Sequence, residues 1–66
     1  MDVEVNGEER EFADGTTLAQ LLEQLGTAQR GVAVAVDGTV VTRSEWQDVV
    51  LTDGAKVEIL TAVQGG

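Results

Sequence analysis

Val3 and Val5 share one side of the segment over residues 1–5, the period-two spacing of a half-buried strand. Asn6-Gly7 follows. Both residue types tolerate positive φ, so the pair predicts a two-residue hairpin turn. Residues 8–12 then make the returning strand. Its alternation is weak: Glu8, Arg10 and Phe12 share one face, and Phe12 is its clear core residue. Asp14-Gly15 is a turn signal. Beyond it, Thr17 and Gln20 have the spacing of a capping box. Leu18, Leu21, Leu22 and Leu25 fall at i, i+3, i+4 and i+7, one apolar stripe of a short helix. The pattern predicts a helix over residues 17–25 that faces the core and stops at Gly26.

The second half reads as strands. Residues 31–36 place Val32, Val34 and Val36 on one face and Ala33 and Ala35 on the other. Asp37-Gly38 predicts a second tight turn, into Thr39-Val40-Val41. Residues 43–46 suit a short helical turn, and Trp46, Val49 and Leu51 are expected to cover one end of the core. Asp53-Gly54 is a third turn. Residues 56–63 form the last strand, with Val57, Ile59, Thr61 and Val63 on one face. A hairpin, a helix and further strands in so short a chain predict one α+β domain, a mixed sheet packed on one helix. If the first and last strands lie side by side and parallel at the sheet centre, the tail leaves from the stiffest part of the fold.

Composition narrows the function. Sixty-six residues form one domain that buries only roughly 60% of its unfolded surface, too small for a deep catalytic cleft. Cysteine and histidine are both missing. That removes disulfides, thiolate ligands, a thiol nucleophile and the usual neutral-pH acid/base. Twelve acidic residues oppose four basic ones, for a net charge of −8. Nucleic acid and anionic membranes are therefore unexpected partners, and a basic protein surface is a favourable one. No start resembling a signal peptide and no long apolar run is found, so a cytoplasmic protein is expected. No carboxylate pair has a spacing that suits acid/base or metal chemistry, and no intrinsic cofactor is expected.

Gln64-Gly65-Gly66 closes the sequence. Gly-Gly has no Cβ and can pass through narrow places. Such a segment is either a frayed terminus or a thread that carries a carboxylate into another enzyme's site. The domain is expected to span residues 1–63 and a flexible tail residues 64–66.

Several stretches together resemble the sulfur carrier proteins of thiamin biosynthesis, the ThiS family of ubiquitin-like β-grasp domains. They are Val5-Asn6-Gly7-Glu8, Asp14-Gly15-Thr16-Thr17-Leu18, residues 31–38, the Arg43-x-x-Trp46 pair, and Asp53-Gly54 with residues 56–66. The resemblance covers essentially the whole chain. Thr42 stands where family members often carry proline, which is expected to alter loop rigidity.

The resemblance implies a carrier that is not itself an enzyme. An ATP-dependent adenylyltransferase similar to ubiquitin-activating enzymes would adenylate the Gly66 carboxylate. A sulfur donor protein would then leave a thiocarboxylate there, and thiazole synthase would accept the sulfur. Gly65 would keep access open. Related readings keep the chemistry and change the pathway, to molybdopterin or another sulfur metabolite, or make the chain a ubiquitin-like modifier. If Val57 and Ile59 point inward, Glu58 and Leu60 point outward. Leu60 with Ala33 and Ala35 would then form a small apolar docking patch near the tail, as ubiquitin-like domains use. Trp46 reads as a packing residue whose N–H finds one acceptor. Arg43 pairs either with a nearby carboxylate or with an acidic partner surface.

Overall fold

Strands β1 (Asp2–Val5) and β2 (Glu8–Glu11) pair antiparallel in the computed structural model, which describes residues 1–27 and 31–61. The turn between them has φ of 49° at Asn6 and 84° at Gly7. Two positive φ values in succession are the geometry that favours Asn-Gly at this place. Phe12 is buried, but it lies one residue past β2. Glu8 and Arg10 sit opposite Val5 and Val3, on the core-facing side. They remain exposed because β2 is the sheet edge. Their ion pair, 3.5 Å long, is of the exposed kind that contributes little.

Helix α1 spans Leu18–Gln24, inside the expected bounds, with Thr17 as N-cap and Leu25 as C-cap. The Thr17 hydroxyl accepts from the Gln20 N–H at 3.2 Å, and the Gln20 side chain accepts from the Thr17 N–H at 2.9 Å. Two helix-end donors are thereby satisfied reciprocally. Leu18, Leu21 and Leu22 are fully buried, and Leu25 packs partly buried at the core's margin. Replacing Thr17 by alanine should cost about 1 kcal/mol, the usual value of a lost N-cap. A urea unfolding series on the two chains measures it.

Strands β3 (Val32–Val36), β4 (Thr39–Val41) and β5 (Lys56–Thr61) complete a five-stranded sheet of order β2-β1-β5-β3-β4. β5 is central, parallel to β1 and antiparallel to β3, the arrangement the strand pattern suggested. Its Val57 and Ile59 join Val3, Val5 and Val34 beneath the helix. A 3-10 helix over Arg43–Asp48, longer than the expected turn, seats Trp46 at the core's end beside Leu51 and Val49. Main-chain bonds from Leu18 to Val49 (2.8 Å) and from Leu51 to Thr16 (3.0 Å) tie that end to the start of α1. Ala62 and Val63 of the expected last strand, and the tail residues Gln64, Gly65 and Gly66, lie outside the described residues.

Candidate functional site

The central strand is held from both sides by the turns next to it. On the β1 side, main-chain bonds from Glu4 to Ala55 and from Asn6 to Val57 are each 2.9 Å. The Asn6 side chain then takes over. Its Nδ2 donates to the Ile59 carbonyl at 3.2 Å, and its Oδ1 accepts from the Ile59 N–H at 2.8 Å. A carboxamide offers both donor and acceptor, so it stands in for one more residue of a neighbouring strand. At the opposite end, Asp37 donates its N–H to the Lys56 carbonyl at 2.8 Å, and its Oδ1 accepts from the Lys56 N–H at 2.9 Å. Sequence reading found both residues as turn formers and missed both clamps, because a turn signal is local and these bonds cross 53 and 19 residues.

On the sheet face away from α1, Leu60 lies directly opposite Ala33 and Glu58 opposite Ala35. Leu60 is 71% exposed, Ala33 is exposed and Ala35 is half-buried. The structure thus brings all three expected docking residues to one surface. It adds Val40, also 71% exposed, which faces Ala35 from β4. A three-residue strand shows no alternation from which its outer face can be read, so Val40 became legible only from its register on β3. The patch borders an acidic half-face. Asp2 lies opposite Glu11 and Glu4 opposite Glu9 across the hairpin, placements in which like charges repel. The outer face therefore grades from carboxylates at β2 to aliphatic groups at β4.

The Arg43 and Trp46 side chains meet at the 3-10 helix. The Trp46 indole is buried and donates to the Val41 carbonyl at 3.1 Å. The Arg43 guanidinium lies 5.2 Å from its ring centroid, within cation–π range. Thr42 makes two bonds that a proline at this position could not. Its N–H donates to Glu45 Oε1 at 3.2 Å and its hydroxyl to the same oxygen at 2.8 Å. Proline has neither group. The hydroxyl first, and the N–H second, hold the exposed Glu45 carboxyl below its ordinary value. A carboxyl lowered by folding stabilises the native state at neutral pH, and that support fades as pH falls through the carboxylate range. Among the described residues no group of acidic, histidine or cysteine side chains is placed to hold a metal. No helix there is long and apolar enough to cross a membrane.

The same framework recurs in known proteins. The sulfur carrier protein ThiS of Escherichia coli is 32% identical over 66 residues, covering all of both chains. That of Thermus thermophilus is 39% identical over 62 residues, covering 94% of this chain and 95% of that one. A thiazole synthase of Paramagnetospirillum magneticum is 39% identical over 66 residues, and this chain spans 20% of its length. Among solved structures, the crystal structure of the thiamine biosynthesis protein ThiS from Geobacter metallireducens superposes with a TM-score of 0.85, at 32% identity and with both chains fully covered. The ThiS family model matches residues 3–66, nearly the whole chain. With the ubiquitin-like sheet and helix and 32% identity over the full length of such a carrier, this chain belongs to the ThiS family.

Proposed function

We propose that the chain is a sulfur carrier of thiamin biosynthesis, with Gly66 as the sulfur-bearing end. The observation that carries this reading is the family match, which runs from the first strand through Gly65-Gly66. In the proposed chemistry the Gly66 carboxylate attacks the α-phosphate of ATP in a partner adenylyltransferase, and pyrophosphate leaves. A sulfur nucleophile then displaces AMP from the acyl-adenylate, leaving a thiocarboxylate. The activation is needed because a carboxylate, ionised at neutral pH, is a poor acyl donor. Catalytic side chains belong to the partners; this chain supplies the acyl group, the docking face and an unhindered Gly65. Leu60, Ala33 and Ala35 are the proposed contact for the adenylyltransferase.

Thiazole synthase is the proposed acceptor. Support comes from the relatives named thiazole synthase, in which a region like this chain makes up 20% of the protein. Joining two partners in one polypeptide raises their effective concentration, which is useful when one must repeatedly deliver to the other. The test incubates the chain ending at Gly66 with the adenylyltransferase, ATP and inorganic sulfide, and follows intact mass. The expected product is heavier by the difference between one sulfur and one oxygen. An adduct joining Gly66 to a lysine of another protein would instead make the chain a modifier.

A further inference from the structure

We infer that Asn6 is a positioning residue for sulfur loading, because its side-chain amide holds β5 at Ile59 and so fixes the base from which Leu60 and the tail reach the activating enzyme. This rests on the carrier reading above. The turn itself does not require asparagine. Its φ of 49° is open to glycine at no steric cost, so a glycine there would make the same reversal. What asparagine adds is the pair of bonds to Ile59, 3.2 and 2.8 Å long.

Those bonds lie where they matter for the tail. Main-chain pairing of β1 with β5 runs out at Val57, where the Asn6 N–H makes its bond. From Glu58 onward β5 would be an edge strand held by β3 alone. The Asn6 amide carries the second side of the ladder to Ile59, next to Leu60 of the docking patch. Gly66 lies seven positions beyond Ile59. The clamp ends one residue before Leu60, so a tilt of β5 at Ile59 changes the direction in which the docked domain presents the rest of the chain to the partner. Acyl activation is sensitive to misplacements of about 1 Å. The clamp thus contributes to how often a docked carrier presents its carboxylate in line with ATP, more than to docking itself.

Asp37 provides the internal control. It is also the first residue of a tight turn, also has a positive φ of 50°, and also clamps β5 through its side chain. Its clamp is at Lys56, the end of β5 away from the tail. Asn6→Gly deletes two side-chain bonds at Ile59, and Asp37→Gly deletes one at Lys56 while keeping the main-chain bond to the Lys56 carbonyl, so the two variants loosen one strand at two separate positions. Loading of the full chain is measured with the adenylyltransferase, ATP and inorganic sulfide, and amide exchange at Ile59 and Lys56 reports loss of each clamp. Asn6→Gly should lower kcat by about five- to tenfold and leave KM for the carrier within about twofold, the split expected of lost orientation. Asp37→Gly should leave both constants within about twofold. Asn6→Asp, which keeps the Ile59 N–H acceptor but sets a carboxylate oxygen against the Ile59 carbonyl, should also lower kcat. Normal kcat in both Asn6 variants, with Ile59 exchange accelerated, would overturn the inference and leave the carrier reading standing. If the unaltered chain fails to load, the carrier reading falls and takes this inference with it.

Discussion

A chain truncated after Gln64 is expected to keep its stability and to take up no sulfur. Gly65 and Gly66 have no side chains to bury, so their loss should change stability by no more than about 0.5 kcal/mol, the range of ordinary surface changes. Loading should disappear because the new carboxylate is two residues short and sits on a glutamine, whose side chain narrows both its conformations and its passage. One alanine added after Gly66 is expected to be nearly as harmful. It moves the reacting carboxylate by up to about 3.5 Å and places a methyl group beside it. Urea unfolding measures the first half of the expectation, and intact mass after incubation with ATP, adenylyltransferase and sulfide the second. Sulfur uptake by the truncated chain would remove Gly66 from the chemistry.

Leu60→Glu is expected to weaken association with the adenylyltransferase by about 100-fold while leaving the fold intact. An exposed leucine that becomes buried on docking contributes roughly 1.5–3 kcal/mol. A glutamate in its place forfeits that and brings a charge into a drying interface. It also adds a carboxylate beside Glu58 on a face already acidic at Asp2, Glu4, Glu9 and Glu11. Because Leu60 is 71% exposed in the free domain, unfolding free energy should stay within about 0.5 kcal/mol of the parent. Titration calorimetry and urea unfolding separate the two effects. Unchanged affinity would move the docking site elsewhere. Val40→Glu, on the same face opposite Ala35, is expected to act in the same direction.

Short-range patterns carried most of the architecture. The leucines of α1 repeat on one side of a helix whatever surrounds them, and the Thr17–Gln20 capping box needs only four residues to form. The Asn6-Gly7 and Asp37-Gly38 turns follow from which residues tolerate positive φ. Alternation in β3 and β5 likewise told inward Val34, Val57 and Ile59 from outward Ala33, Glu58 and Leu60, since a strand's period of two is a property of the backbone. The family resemblance, and with it the interest of Gly66, rests on the same linear record.

Contacts between distant segments needed the folded chain. Val40 joins the Leu60 patch because β4 pairs with β3 in one register, and three residues hold no pattern from which to infer that register. Asn6 and Asp37 are legible as turn formers, yet their bonds to Ile59 and Lys56 exist only once β5 has been inserted between β1 and β3. The contact of the Arg43 guanidinium with the Trp46 ring was likewise not readable from the pair's spacing. The two bonds from Thr42, by its N–H and its hydroxyl, to Glu45 also became visible only in the folded chain. Turn, cap and alternation are set by neighbours along the chain. Register, clamps and patches depend on which strand lies beside which, and burial of the shared core under α1 settles that order.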